Sequence, residues 1–296
     1  MSGIGMTLLM VTLLIGVLSV GNSMVQSNQG EHAQLLESGK ADKIEEPASS
    51  DQLKIVSYNI RWRSGEELQQ IVRWLKEANA ANQPMIIGLQ EVDRAKQRSA
   101  KVNHAKALAD ALGMYYAWTA PSLPRNAKTQ EEETGVELLS RYPLSDLTRI
   151  VLPNPGPGGR TRVALGATIK IGKTSVRVYS VHSETRLPMS QKVDQLRAVL
   201  DDLTRFPKTE PAVVLGDFNS WELPAIEGVR KLFTEAGFTT PLPDDETTFL
   251  RKTPFFDLRL KLDWIWVRGL TPQSYGIDHS LTVSDHFPLW TIVRFN

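Results

Sequence analysis

Pro211 to Asn219 reads PAVVLGDFN, an apolar run closed by Gly216, Asp217, Phe218 and Asn219. The brevity and β-branched content of Pro211 to Leu215 predict a buried strand with GDFN at its end. Taken singly, Asp217 reads as a turn residue more readily than as a catalyst, because Asp and Asn bond their own backbone in turns. The same arrangement recurs along the chain, however. Asn59 falls in VSYNI, Glu91 in IIGLQEVD, His182 in YSVHSE, Asp263 in KLDWIWV, and Asp285 with His286 in VSDH, all at the ends or edges of apolar runs. A lone His182 on a strand reads as a satisfied structural histidine. Glu91 and Asp263 resist so plain a reading, because a carboxylate is almost never buried without a cation or donor, and an unpartnered polar group costs roughly 1–3 kcal/mol.

Outward from these runs, Lys54 to Ile60, Pro84 to Leu89, Thr174 to Val181 and Pro211 to Leu215 read as strands, with Asp263 to Val267 and Phe287 to Phe295 as late ones. Glu66 to Ala78 reads as a helix with Leu68, Ile71, Val72 and Leu75 on one face, and Ser64 with Glu67 has capping-box spacing. Gln191 to Phe206 reads as a second helix, apolar at Val193, Leu196, Val199, Leu200 and Leu203. Strands interspersed with helices predict an α/β body, and no internal repeat interrupts it. The Pro- and Gly-rich stretch Leu152 to Gly159 is too short for a domain linker and reads as a surface loop.

The 296 residues are 41% hydrophobic, enough for a sizeable core, and carry a net charge of +1. Residues 1–52 hold two Lys against six acidic residues, so the remainder carries 32 basic against 27 acidic, or +5. That balance allows an anionic substrate but is far from the basic face of a duplex-DNA binder. The absence of cysteine excludes disulfides, thiolate metal sites, a thiol nucleophile and a lipobox anchor. Ile4 to Gly21 runs without a charge and precedes the polar Asn22 to Gln52. Its length nearly spans a bilayer, no Lys or Arg precedes it and no clear cleavage site follows, so signal peptide and retained anchor both stay open for residues 1–22. The expectation is an exported protein, periplasmic, extracellular or membrane-associated through residues 4–21, with a polar linker over 23–52, one folded domain over 53–296, and a monomeric state.

Oxygen and amide donors with two histidines and no thiolate select a hard cation, Mg²⁺ or Mn²⁺, for Glu91, Asn59 and Asp285, since no H-E-x-x-H or Cys set for zinc occurs. No G-x-x-x-x-G-K-[ST], G-x-G-x-x-G or G-x-S-x-G occurs either, which argues against nucleotide-driven phosphotransfer and the nucleophile-elbow hydrolases.

SYNI, LQEVD, LLSRYPL, SVHSE, GDFNS, KLDWIWV and SDHFPLW, in this order from Leu53 onward, resemble the endonuclease/exonuclease/phosphatase superfamily, which includes pancreatic-type DNases, neutral sphingomyelinases and inositol polyphosphate 5-phosphatases. EVDRAKQRSAKVNHAKALADALGM further resembles small bacterial metal-dependent hydrolases. The resemblance implies a DNase I-like four-layer α/β sandwich, two packed mixed β-sheets flanked by helices. It assigns metal binding to Asn59 and Glu91, with Asp285 as a further ligand. It also assigns water activation to Asp217, phosphate holding to Asn219, and an imidazole at His286 fixed by Asp263. His182 would donate to the phosphate or leaving oxygen, and Arg162 would lie near the anionic substrate; a solvated strand-edge Arg reads equally well. The implied activity is a phosphodiesterase or phosphatase acting on nucleic acid, a phospholipid head group or a small phosphate ester. One departure stands out: Gly135, Val136 and Glu137 occupy positions where relatives carry Gly, Asn, Ala. Glu137, if turned inward, would partner His182, and a binding module that keeps the fold without catalysis is the competing class. Trp118, Tyr116 and Trp221 read as core aromatics first and as a wall for a lipid or base second.

Overall fold

The chain, as a computed structural model, is described over residues 35–44, 47, 50–78, 84–122 and 133–296. The charge-free run Ile4 to Gly21 lies outside these residues, and among them no helix is long and apolar enough to cross a membrane. Among the described residues fourteen strands form two large sheets and a hairpin. The first sheet has the order β1 (Leu36–Lys40), β4 (Tyr115–Thr119), β5 (Glu133–Ser140), β3 (Met85–Arg94), β2 (Gln52–Asn59), β14 (Leu289–Phe295) and β13 (Leu270–Ile277). The second has the order β12 (Asp263–Arg268), β9 (Ala212–Asp217), β8 (Thr174–His182), β7 (Val163–Ile171) and β6 (Leu144–Val151). The hairpin pairs β10 (Phe249–Lys252) with β11 (Asp257–Leu260).

Each sheet contains one parallel pair, β2 with β3 and β8 with β9, and is otherwise antiparallel. A parallel pair needs a crossover, and the helices α1 (Gly65–Ala78) and α3 (Met189–Leu203) supply these two. Helices α2 (His104–Leu112) and α4 (Leu223–Glu235) complete the outer layers. The predicted apolar stripe of α1 (Leu68, Ile71, Val72, Leu75) packs with Leu108 and Leu112 of α2 on the outer face of the first sheet. On the far side, Leu196, Val199 and Leu203 of α3 and Val229 and Phe233 of α4 cover the second sheet. Between the sheets lies a third core, which includes Ile55, Ile86, Leu138, Leu165, Val213 and Leu215. The result is the four-layer α/β sandwich with two packed mixed sheets that the resemblance implied. The sheets approach so closely at Gly88 that an added Cβ would lie 2.0 Å from Leu215 Cδ1.

Two sequence expectations need correction. Residues 36–40 fall within the stretch read as a polar linker, yet they form β1, in register with β4 from Leu36 opposite Thr119 to Lys40 opposite Tyr115. The Glu37 carboxylate anchors it, accepting from Tyr116 Oη (2.6 Å), Asn103 Nδ2 (2.8 Å) and Arg94 Nη1 (2.9 Å). Composition hid this strand because its pairing partners lie nearly eighty positions away. At the start of α1, Glu67 accepts from Arg63 Nη1 at 3.4 Å instead of closing a capping box.

Candidate active site

The two parallel pairs end at the same edge of the sandwich, and the crevice beyond the carboxyl ends of such strands is where α/β folds collect polar groups. In the second sheet, strand register sets three residues in a row: His182 opposite Asp217 across β8 and β9, and Asp217 opposite Asp263 across β9 and β12. In the first sheet Asn59 pairs with Gln90 at the ends of β2 and β3. The sheets are joined here by Asn59 Nδ2, which donates to Asp217 Oδ2 at 3.0 Å. The other Asp217 oxygen, Oδ1, accepts from the Asn219 amide N–H at 3.0 Å.

The sequence GDFN has a steric cause. Gly216 has φ +134°, and a Cβ there would lie 2.0 Å from the Val181 carbonyl oxygen on the neighbouring parallel strand. Only glycine lets β9 run this close and still deliver Asp217 beside His182. Asn219 adopts a left-handed φ of +50°, with Nδ2 donating to Ser183 O (3.1 Å) and its carbonyl accepting from the buried Lys192 Nζ (2.8 Å).

Glu91 is placed by a β-bulge. The β3–β5 register slips between Gln90 and Val92, leaving Glu91 between them at φ +57°. A left-handed glutamate inside a strand is strained, and bulges of this kind re-aim a side chain. Its backbone carbonyl accepts from Trp62 N–H (2.9 Å), while Ile60 N–H donates to Gln90 O (3.0 Å), so the turn after Asn59 is tied to the bulge.

The two histidines differ in charge. His286, carried by the turn before β14, places Nδ1 2.8 Å from Asp263 Oδ2 and Nε2 3.8 Å from Asp217 Oδ2. Burial opposes charge on this ring, but the Asp263 and Asp217 carboxylates overcome it and push the imidazole up to about 10. His182 lies with Nε2 3.6 Å from Asp217 Oδ2 and 3.9 Å from Glu91 Oε1. Its burial, with Arg162, His286 and Arg160 nearby, holds it well below the ordinary histidine value, so it is neutral. Arg162 Nη1 is 3.3 Å from His182 Nδ1, and a guanidinium only donates. Nδ1 is therefore the acceptor, and the ring proton sits on Nε2, which faces the two carboxylates. Burial also raises the Asp217 carboxyl to about 7, against the pull of His286, Asn59 and the Asn219 amide.

Asp217, Asp263 and His286 each offer an atom within 4.8 Å of the others, which has the shape of a metal cluster. His286 Nδ1 and Asp263 Oδ2 already engage each other, so we read this trio as a hydrogen-bonded chain. Glu91 is the better placed candidate for a cation ligand. Its side chain is 24% exposed, and among the described residues its carboxylate accepts no hydrogen bond and lies 3.9 Å from His182 Nε2. Asn59 Oδ1 accepts from Arg61 N–H (3.0 Å) and keeps a second lone pair. Asp285 is turned to Arg61, with Oδ2 2.9 Å from Nη1, and its Oδ1 is buried without a partner.

Several residues that matter here were missed in the sequence. Glu184 is fully buried and accepts from Arg160 Nε (2.8 Å) and Arg162 Nε (3.1 Å), fixing both cations beside His182. The signal was present in a carboxylate directly after the His182 strand and in two Arg at i, i+2 spacing. Arg61 and Lys192 had no local signal. Glu137, expected to partner His182 if inward, faces the opposite way among Leu89 and Trp118, fully buried with neither oxygen hydrogen-bonded. Val136 belongs to the core between the sheets, opposite Gln90. No aromatic wall forms, since Trp118 and Tyr116 pack in the outer core of the first sheet while Trp221 is 46% exposed.

Comparison with known proteins agrees with this geometry. A family model described as "Endonuclease/Exonuclease/phosphatase family" matches residues 56–286. The uncharacterized protein YbhP of Escherichia coli is 27% identical over 194 residues, 63% of this chain and 71% of that protein. A UPF0294 protein of Vibrio cholerae is 36% identical over 103 residues, which span 34% of this chain and only about a third (32%) of that relative. Among solved structures, an endonuclease/exonuclease/phosphatase from Beutenbergia cavernae superposes with a TM-score of 0.62 at 20% identity, covering 83% of this chain and 72% of its own. D. rerio TDP2 complexed with a single-strand DNA product gives 0.61 at 17% identity, covering 83% and 100%. A family match running from β2 to the histidine that closes the polar row, on this two-sheet sandwich, makes the chain a member of the endonuclease/exonuclease/phosphatase family.

Proposed function

We propose that the protein is a divalent-metal-dependent phosphoester hydrolase in which Asp217 orients and deprotonates the attacking water. The observation that carries this reading is the placement of two histidines around one carboxylate, His182 Nε2 at 3.6 Å and His286 Nε2 at 3.8 Å from Asp217 Oδ2, with the partly exposed Glu91 beside them. Glu91 and Asn59 would hold Mg²⁺ or Mn²⁺, which when bound supplies positive charge to the phosphoryl and leaving oxygens. Arg61 engages Asp285, so that residue serves better as the anchor of the Arg61 turn than as a primary ligand.

The remaining steps belong to the protein. Asp217 Oδ1 is pinned by the Asn219 amide and Oδ2 by Asn59, so the carboxylate has a fixed orientation toward an incoming water. With its carboxyl raised to about 7, it is a stronger base than an ordinary aspartate. His286, held cationic by Asp263, donates from Nε2 to a phosphate oxygen, and the neutral His182 donates a hydrogen bond from its Nε2–H to another oxygen or to that of the departing group. Asn219 has a second Nδ2 hydrogen for the phosphate, and Arg162, clamped by Glu184, adds positive charge beside His182. A decayed binding module would have no use for an oriented carboxylate held between two histidines.

The test is an assay of the full chain on bis-p-nitrophenyl phosphate, the monoester, plasmid DNA and sphingomyelin, with Mg²⁺ or with EDTA. Hydrolysis that requires the cation and falls by about 10²–10³ in Asp217→Ala and His286→Ala supports the reading. Activity indifferent to EDTA, or retained by both variants, overturns it. The panel also separates nucleic acid, lipid and small-ester substrates. The charge-free run Ile4 to Gly21 supports export or anchoring, which sequencing of the mature N-terminus tests directly.

A further inference from the structure

Two apolar projections flank the crevice. The first is the β10–β11 hairpin, whose tip presents Phe255 and Phe256 at 93% and 62% exposure. The tip is ordered, with Thr253 N–H donating to Phe256 O (3.1 Å) and Phe256 N–H to Thr253 Oγ1 (3.0 Å). Its root lies in the site: Phe249 packs edge-on against His286 with ring centroids 5.0 Å apart, and Leu250 N–H donates to Asp285 O at 2.7 Å. The second projection follows GDFN directly, where Trp221 and Leu223 are 46% and 75% exposed. The bases of the two segments are joined, because Phe218 N–H donates to Leu262 O, two residues beyond β11.

These four side chains add nothing to any of the three cores, and water-facing apolar groups clustered at the mouth of a site mark an interaction surface. The hairpin, residues 249–260, also carries Arg251, Lys252 and Arg259 against Asp257 alone, a net +2. Aromatic tips with cations on the strands behind them fit the polar–apolar boundary of a membrane, where rings enter the acyl region and long basic side chains reach anionic head groups. A single-stranded nucleic acid would instead need a cationic groove lined with aromatics. Here the cleft of about 680 Å³ beside the hairpin sets Arg61, Arg63, Lys252 and Arg259 against Asp245, Glu246 and Asp285, a near balance of charge, and none of the four projecting side chains lines it.

We propose that the Phe255–Phe256 hairpin tip and the Trp221–Leu223 loop seat the mouth of the active site on the surface of an anionic lipid bilayer. The crevice then opens toward the head-group layer, and a phosphoester carried by a lipid reaches Asp217 without leaving the membrane. This contact is independent of whether the site hydrolyses anything.

The chain has no cysteine, so Phe255→Cys gives a unique attachment point for an environment-sensitive fluorophore. Lys173→Cys, in the turn between β7 and β8 at the opposite end of β8 from His182, serves as the control. The full chain is reconstituted with phosphatidylglycerol–phosphatidylcholine vesicles whose acyl chains carry bromine. Quenching of the label at position 255 by about twofold or more, with the label at 173 unaffected, is the expected result. A second arm compares Phe255→Ser/Phe256→Ser with the parent chain. Its rate on a vesicle-borne phosphoester should fall about fivefold while its rate on soluble bis-p-nitrophenyl phosphate holds. Absence of quenching at 255 overturns the proposal, as does quenching that does not distinguish the two positions. A response of the 255 label to a single-stranded oligonucleotide and not to vesicles also overturns it, in favour of a nucleic-acid surface. Quenching reads contact without turnover, so its failure is distinct from a failure of the hydrolase reading.

Discussion

Asp217 and Glu137 are both buried carboxylates, and only their partners separate them. Asp217 accepts from Asn59 and from the Asn219 amide and faces two histidines, whereas Glu137 has no partner for either oxygen. Burial pushes Glu137 well above the ordinary carboxylate value of 4.5, with Glu37 adding to the rise. A carboxyl raised in the folded state stabilises relatively at low pH, and its contribution is lost as pH climbs above 4.5, where the unfolded chain ionises first. Glu137→Met, similar in length and without polar atoms, is therefore expected to raise Tm by several degrees at pH 8 and by less at pH 5, as calorimetry at the two pH values would reveal. Gly216→Ala should be severe for a different reason. The added methyl meets the Val181 backbone, which cannot yield, so a loss on the order of 3 kcal/mol or more is expected in denaturant melts. Asp217 and His286 were legible as candidates because several polar groups interrupt apolar runs in one chain, and the structure brings the two within 3.8 Å. Glu137 was misread because a sequence gives its strand but not the face on which alternation places it.

At the scale of elements, strands rich in Val and Ile and the stripe of α1 were legible, since their apolar period is local and their cores continuous. Helices α2 and α4 gave weaker signals, α2 being nine residues long and α4 opening on Leu-Pro. Edge strands were hardest: β6 mixes half-buried and exposed positions with none fully buried, and β1 is five residues that include Glu37 and Lys40. β1 supports a prediction. A chain beginning at Leu53 loses this strand and the Glu37 carboxylate, leaving Arg94 on Glu133 and removing the acceptor of Asn103 Nδ2 and Tyr116 Oη. Relative to a chain beginning at Leu35, its stability should drop by on the order of 2–4 kcal/mol, measured as a lower urea midpoint. An unchanged midpoint would return residues 36–40 to the role of linker.

At the scale of the whole molecule, the site exists only where the two sheets meet. Glu91 and Asn59 come from one, His182, Asp217 and Asp263 from the other, and His286 from the turn that leads back into the first. A cation joining Glu91 and Asn59 next to Asp217 would tighten that junction, so Mg²⁺ is expected to raise Tm as well as activity, and EDTA to reverse both. A Glu91→Gln variant should lose the thermal shift, which differential scanning calorimetry with and without Mg²⁺ would detect. By itself the sequence determined the α/β class, the absence of thiol chemistry and the family to which the chain belongs, because each rests on residue identity, local period and motif order. Only the tertiary structure decided the rest: that Asp285 is held by Arg61, that Glu184 clamps Arg160 and Arg162, that His182 is neutral beside a cationic His286, and that an aromatic hairpin stands at the mouth. Those facts depend on distances between residues far apart in the chain and on the water that burial removes, and neither is encoded at any single position.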